Sequence, residues 1–373
     1  MNPGGPDHAV ARLRLIRSEN IGPVTYRQLL RRFGSADAAL AALPDLVRRV
    51  GGVRSAQGGG SARIASVADA EAELAAVARF GGRFVFVGDD DYPFLLARTE
   101  SAPPALAVKG DVTLFERPAV AMVGARNSSA AAVRFARELA TDLAARDLVV
   151  VSGLARGIDA AAHWGALAGG TIGVVAGGLD VVYPPENAEL QCRIATEGLV
   201  VAEAAFGTQP QARHSPRRNR IIAGLCAGTV VVEGALKSGS LITARIAAEA
   251  GREVMAVPGS PLDPRAQGCN QLIREGATLI QSAADVVEAL GTLSGDVGGR
   301  LLAPDAAWEA APVTEADDAT RDEIVRLLSP VPVAIDELVR QSGCASAVVA
   351  GTLLDLELAG RLVRHAGGRV AAA

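Results

Sequence analysis

Between residues 119 and about 290, short apolar strings end in glycine-containing turns and are followed by helical segments. Six strings recur in this region: AVAMVG (119–124), LVVVSG (148–153), TIGVVAGG (171–178), LVVAE (199–203), TVVVEG (229–234) and EVMAVPG (253–259). They are almost continuously apolar, as expected for strands that are covered on both faces. Six strand–helix repeats predict an α/β fold with a Rossmann-like, doubly wound, mostly parallel sheet.

The flanking segments have other patterns. Near the N-terminus, ENIGPVTYRQLLRRFGS is typical of a helix–turn–helix hairpin, and the C-terminal segment has the apolar spacing of three helices followed by a hairpin. We therefore expect four parts: a small N-terminal helical domain of the helix-hairpin-helix or SAM-like type (1–80), a Rossmann-like DNA-binding domain (81–290), an acidic linker (291–320) and a C-terminal winged-helix domain (321–373).

Charge and composition narrow the possible functions. Lys and Arg number 37 and Asp and Glu 41, so the formal net charge is −4. This balance excludes a uniformly basic protein and confines any nucleic-acid site to a local patch. The sequence has no apolar run long enough to span a membrane and no signal-peptide core, and its four cysteines form no CxxC pair, so we expect a cytoplasmic protein.

The strand ends carry the candidate chemistry, because ligands of open parallel sheets bind outside the carboxyl ends of the strands. The first turn, 124–129, places a glycine, hydroxyls and one arginine at a helix N-terminus, which predicts an anion site. The loop after the fourth strand carries Arg213, Arg217, Arg218 and Arg220. Together these loops predict a positive edge that binds the phosphates of a polyanion.

Several polar residues near this edge also have structural interpretations. Asp159 and His163 lie at i and i+4 on one helix, which is also the spacing of a catalytic or metal-binding pair; we expect them to orient each other or cap the turn. Arg220 is expected to pair with Glu233 or Asp180 if its role is structural. Glu203 and Glu233 end strands beside the site, where a carboxylate either does acid–base work or braces an arginine, and we expect the second role. No P-loop, nucleophile elbow or HExxH motif is present, so we predict no enzyme, no cofactor and no metal site.

The motif order supports a family resemblance. VGARNSS, VVSGLARGIDAAAH, GGLDVVYPPEN, PRRNRIIAGL, KSGSLITARIAAEAGREVMAVPG and GCNQLIREGA occur in one series that resembles the DNA processing protein A (DprA/Smf) family. The resemblance implies a cytoplasmic homodimer that binds single-stranded DNA, protects incoming strands and loads the RecA recombinase in natural transformation. Matching positions imply these DNA-binding residues: Gly124, Arg126, Ser152, Gly153, Arg156, Arg218, Asn219, Arg220, Lys237, Ser238, Gly239 and Ser240.

The chain departs from the family at one informative position. The family has Phe-Pro before the RNR segment, whereas this chain has Ser215-Pro216. An aromatic side chain there would stack on a base, and that contact contributes roughly 1–3 kcal/mol. Tyr183 and His214 are the remaining candidates near the site for stacking.

The sequence is also compatible with two other function classes. One is a nucleotide N-glycoside hydrolase on a Rossmann-like fold, although the stretch VEGALKSGSLITA lacks the PGGxGTxxE motif of such enzymes. The other is a regulator that reads duplex DNA through the winged helix. The tail carries as many acidic as basic side chains, whereas DNA-binding winged helices usually have a basic face.

Overall fold

The computed structural model describes residues 6–51, 63–211, 214–291, 316–365 and 367–373. The described residues within Met1–Ala72 and Asp305–Ala373 form one compact unit, and those within Glu73–Pro304 form another. Residues 292–315, most of the expected acidic linker, lie outside the described part of the chain. No helix in the described ranges is long and apolar enough to cross a membrane.

Helices and strands alternate through the chain. The helices are α1 (Pro6–Arg17), α2 (Pro23–Phe33), α3 (Ala36–Gly51), α4 (Val67–Arg79), α5 (Phe94–Ala97), α6 (Ala130–Ala144), α7 (Ile158–Ala166), α8 (Ala188–Glu197), α9 (His214–Leu225), α10 (Gly239–Glu249), α11 (Gln267–Arg274), α12 (283–291), α13 (Asp318–Leu327), α14 (Ile335–Ser342) and α15 (Ser346–Leu358). The strands are β1 (Arg83–Phe86), β2 (Ala105–Gly110), β3 (Ala119–Gly124), β4 (Val149–Ser152), β5 (Thr171–Val175), β6 (Leu199–Ala202), β7 (Gly228–Val232), β8 (Glu253–Ala256), β9 (Thr278–Leu279), β10 (Val333–Ala334), β11 (Leu362–His365) and β12 (Arg369–Ala372).

The larger unit is built on a nine-stranded sheet in the order β1-β2-β6-β5-β4-β3-β7-β8-β9. Neighbours from β6 to β9 pair in parallel, whereas β2 pairs antiparallel with both β1 and β6. This confirms the predicted doubly wound, mostly parallel sheet. The chain winds outward from β3 in both directions, so the topological switch point lies between β3 and β7.

Both faces of this sheet are buried, which explains the nearly continuous apolar strings. Along β4, Val149 and Val151 join the core on one face, while Val150 joins the core on the other. Helices α6 and α7 supply side chains to the second core, and α9 supplies side chains to the first. The loops after β3, β4, β5 and β7 therefore emerge at one edge of a rigid support.

The smaller unit contains the N-terminal helices and a winged-helix fold. In the latter, α13, α14 and α15 pack around a core that includes Ile324, Leu338 and Leu353, and β12 pairs with β10 and β11. The three helices and the hairpin agree with the sequence prediction. The short strand β10 adds a third strand to the small sheet.

Candidate functional site

A cavity of about 560 Å³ opens at the carboxyl ends of β3, β4 and β5. Arginines from three separate segments line it: Arg126 in the turn after β3, Arg156 in the loop after β4 and Arg218 in the first half of α9. Apolar residues and a few neutral polar side chains complete the lining, and none of the described lining residues is a carboxylate. The cavity is therefore a local positive site in an acidic protein, which is the electrostatic requirement for binding phosphate.

Arg218 forms the buried floor of this cavity, with only 8% of its surface exposed. Its Nη1 donates to the carbonyls of Gly153 and, at 2.8 Å, Val174, while its buried Nε has no hydrogen-bond partner among the described residues. Burial lowers the pKa of Arg218, and the Asp159 carboxylate opposes this shift. A guanidinium does not deprotonate in proteins, so Arg218 keeps its positive charge at the floor of the cavity, and this charge attracts an anion.

The loop between β4 and α7 is held by hydrogen bonds with Asp159 and Asn187, in addition to the one with Arg218. Asp159 accepts from the backbone N–H groups of Gly153 (3.2 Å) and Ala155 (3.3 Å). Asn187 donates through Nδ2 to the carbonyls of Leu154 (2.8 Å) and Ala155 (3.2 Å). A Cβ at Gly153 would overlap the Arg218 guanidinium, so any other residue there would force Arg218 to move. These contacts fix the loop that presents Arg156.

Asp159 and His163 act on the loop and the core. Burial raises the pKa of the Asp159 carboxyl, while the neighbouring Arg218 guanidinium lowers it. The imidazole of His163 contacts the Thr171 hydroxyl at 2.7 Å, and burial, reinforced by Arg218, lowers its pKa to about 3. Neither residue lines the cavity, and the described residues include no cluster of three His, Cys, Asp or Glu suited to a metal ion.

Two predicted site residues have internal contacts. The Ser152 side chain is fully buried, and its hydroxyl donates to the Met122 carbonyl at 2.6 Å. At Gly124 a Cβ would collide with the Val232 carbonyl of the adjacent strand and with the side chain of Ile158. Serine and glycine at these positions thus allow the strand ends to pack closely, and neither residue is among those that line the cavity.

Arg220 is also engaged internally. Its guanidinium pairs with Glu203 and donates to the carbonyl of Ser101. The expected structural partners were Glu233 or Asp180, so the identity of the carboxylate was wrong. The contact depends on how the segment between β6 and α9 folds back, and residue type alone does not define which carboxylate Arg220 meets. Glu203 nevertheless braces an arginine, as anticipated.

Glu233 has a different role from the expected one. Its carboxylate accepts from Ser129 N (2.8 Å) and from Ser129 Oγ (2.6 Å), at the N-terminus of α6. The predicted anion site in the 124–129 turn is therefore occupied by the protein's own carboxylate. This pair spans the switch point between β3 and β7, and it leaves the cavity on the β3–β5 side as the open site.

The turn after β7 holds four further residues of the predicted site. Lys237 is exposed, Ser238 and Ser240 contact each other through their hydroxyls at 2.6 Å, and Asn219 donates to the Gly239 carbonyl at 3.3 Å. These four turn residues and Asn219 are not among those that line the cavity. Because β7 pairs with β3, the turn lies at the same edge of the sheet.

Aromatic side chains differ in their access to the cavity. Tyr183 lines it and is 58% exposed. His214 is half-buried, and its Nδ1 accepts from the backbone N–H of Gln211 at 3.2 Å. Tyr183 is therefore better placed than His214 to stack on a base. Arg213 lies outside the described residues.

Comparison with known proteins agrees with this arrangement. The family model for DNA recombination-mediator protein A matches residues 83–291, which is more than half of the chain. The chain belongs to the DprA/Smf family. Models for the DprA-like N-terminal HHH domain and the DprA winged-helix domain match residues 6–76 and 309–368.

Relatives and solved structures extend the match. The DNA processing protein DprA of Streptococcus pneumoniae is 48% identical over 201 residues, covering 53% of this chain and 71% of the relative. A DprA protein of Mycobacterium tuberculosis is 36% identical over 370 residues, covering 92% of both chains. The X-ray structure of the S. pneumoniae protein aligns with a TM-score of 0.64 and 36% identity, covering 76% of this chain and 98% of that one.

A second solved structure bears on the ligand. DNA processing protein A from Helicobacter pylori aligns with a TM-score of 0.51 and 28% identity, covering 57% of this chain and 96% of that chain. That structure was described for its single-stranded DNA binding mode.

Proposed function

We propose that this chain binds single-stranded DNA along the edge formed by the arginine-lined cavity and the turn after β7. The observation that carries the proposal is the convergence of Arg126, Arg156 and Arg218 on one cavity without a carboxylate among its described lining residues. Family membership and the H. pylori relative support single-stranded DNA as the polyanion.

The proposed residues fall into two groups. Arg126, Arg156, Arg218 and Lys237 supply positive charge, and Arg126 and Lys237 are both exposed. Arg156 forms a partly exposed pair with Glu186, and such pairs are weak enough for a phosphate to displace the carboxylate. Gly124, Ser152, Gly153, Asn219, Arg220, Ser238, Gly239 and Ser240 support the backbone that carries these charges or donates its own N–H groups.

The cellular role in this proposal is that of a recombination mediator. A protein that binds the phosphates without cutting them protects an incoming strand and presents it to the RecA recombinase in the cytoplasm. The proposal includes a homodimer and no catalytic activity. Release of free base from nucleoside monophosphates would instead favour the N-glycoside hydrolase alternative.

The test is a mobility-shift titration with single-stranded and duplex oligonucleotides at roughly 50 and 200 mM salt. We expect preference for the single strand and a steep loss of affinity at the higher salt. The Arg126→Ala/Lys237→Ala variant removes two phosphate contacts, so the slope of log K against log salt should fall by about 1.4. Arg146→Ala is the matched control, because this exposed arginine follows α6 at the opposite edge of the sheet.

Two results would contradict the proposal. Equal affinity for single-stranded and duplex DNA would remove the specificity, and unchanged binding by the double variant would show that the site lies elsewhere.

A further inference from the structure

Helix α15 is apolar on two opposite faces. Val349, Leu353 and Leu356 on one face belong to the core of the winged helix. Leu354 and Leu358 are 3% and 1% exposed but are not part of that core. At 100° per residue they lie on the reverse side of the helix. A helix that is apolar all round is buried on all sides, so a second partner covers the reverse face.

That partner is the N-terminal helical segment of the same unit, because α15 packs against both α2 and α3. At the end of α15, the Asn20 side chain donates to the Leu358 carbonyl at 3.2 Å. This carbonyl is one of the groups that a helix C-terminus leaves without an internal partner. The contact therefore joins the hairpin turn of the N-terminal segment to the last residue of α15.

Charged groups at the border of this contact are complementary. Arg32 on α2 lies 3.9 Å from the Asp355 carboxylate on α15, and both side chains are mostly buried. Arg364 donates to Glu357 at 2.8 Å and, across the interface, to the Gln28 side chain at 3.5 Å. The only charged residues of α15 are Asp355 and Glu357, both acidic, whereas α2 carries three arginines.

α15 occupies the position of the recognition helix in a helix-turn-helix. α15 follows α14 as the second helix of the helix-turn-helix, which in DNA-binding members enters the major groove and contacts base edges. Such a helix needs exposed donors and basic groups facing the phosphates. Here the corresponding face carries leucines, two acids flank it, and α2 and α3 cover it.

We propose that α15 is a docking helix for the N-terminal helical domain of its own chain, and that the winged helix does not read duplex DNA through it. The two terminal segments, which are distant in sequence, thereby pack together as one structural unit. This inference goes beyond the single-strand proposal and stands independently of it.

The test is amide hydrogen exchange on the full-length chain. Leu354→Asp places a charge in the docking face without removing a side chain from the winged-helix core. Exchange in α2 and α3 should accelerate at least about tenfold, while α13 and the β11–β12 hairpin stay protected. Val363→Asp is the matched control, because Val363 is 46% exposed on β11 and should leave the exchange of α2 unchanged.

A charge exchange guards against simple misfolding. Arg32→Asp should accelerate exchange in α2 through repulsion from Asp355, and the Arg32→Asp/Asp355→Arg double variant should restore protection. Single-strand affinity should stay the same in all these variants, which separates this proposal from the function of the cavity.

Two outcomes would overturn the inference. One is unchanged exchange in α2 and α3 when Leu354→Asp is folded. The other is new protection of α15 when saturating duplex DNA is added to the wild-type chain, since that would show the helix in contact with DNA.

Discussion

The buried His163 predicts a specific loss of stability in mild acid. Its imidazole is fully buried, and burial together with the Arg218 charge lowers its pKa to about 3. Thr171 donates its hydroxyl proton to the Val150 carbonyl at 2.7 Å, so it accepts a hydrogen bond from Nδ1 of His163. The folded protein therefore keeps a neutral imidazole at pH values where the unfolded chain takes up a proton.

Proton linkage gives the direction and the size of the change in the free energy of unfolding with pH. The unfolded imidazole titrates near pH 6.5. The contribution of the neutral His163 to the free energy of unfolding is therefore fully present above that pH, and it is lost as the pH drops toward the folded pKa. Between pH 7.5 and pH 5 the free energy of unfolding should decrease by about 2 kcal/mol from this residue alone. Any folded pKa below about 4 gives nearly the same result over this window.

Urea denaturation at several pH values measures the effect. Trp164 lies next to His163 in the larger unit, so its fluorescence in a Trp308→Phe background reports the unfolding of that unit. The quantity to compare is the pH slope of the free energy of unfolding in the parent and in His163→Gln. The absolute stability of the variant does not enter. His365→Gln is the control, because this exposed histidine lies in the smaller unit.

Parallel pH curves for the parent and His163→Gln would refute this reasoning. They would mean that the folded imidazole titrates like the unfolded one, and that burial therefore does not hold it neutral. Loss of the same slope in His365→Gln would have the same consequence.

Three further predictions concern the cavity. Asn187→Ala should lower the free energy of unfolding by about 1–2 kcal/mol in urea, since two loop carbonyls lose their donor, and it should weaken single-strand binding in a mobility shift. Arg220→Ala should destabilise the fold by about 1–3 kcal/mol, whereas the neighbouring, exposed Arg217→Ala should weaken DNA binding and change stability by less than about 0.5 kcal/mol; equal effects on stability would contradict their different burial. Gly153→Ala should cost about 1–3 kcal/mol of stability and reduce affinity together, because its Cβ would displace Arg218; unchanged binding would separate Arg218 from the site.

The sequence predicts those elements whose hydrophobic pattern depends only on neighbouring residues. Six apolar strings correspond to β3 through β8 because strands covered on both faces need apolar residues at almost every position. β2 was not predicted as a strand. Its residues follow Pro103-Pro104, and its antiparallel pairing with β1 and β6 depends on partners brought together by the fold. The two-residue strand β9 is too short to leave a pattern.

At the site, too, the sequence predicts local features better than contacts between distant residues. Motif positions placed Arg126, Arg156 and Arg218 at one edge, and the structure brings them to one cavity. The hydrogen-bond partners of the polar groups could not be predicted from the sequence. Asn187 reaches the 153–157 loop from 32 residues away, and Glu233 reaches Ser129 from 104 residues away. Only the strand order defines such pairs, so residue type alone could not separate a ligand contact from an internal one.

Burial of Arg218 gives a physical reason for arginine at this position. One nitrogen, Nη1, bonds to the carbonyls of Gly153 and Val174, while Nε remains without a partner among the described residues. The planar guanidinium spreads its charge over several donors, so the same group can hold the loop and still attract an anion. A lysine ammonium has all its donors on a single atom. That atom could not bond to the carbonyls of Gly153 and Val174 and also contact an anion in the cavity. Because the protein's own hydrogen bonds fix this charge in advance, a bound phosphate need not order it, and less ordering entropy opposes binding.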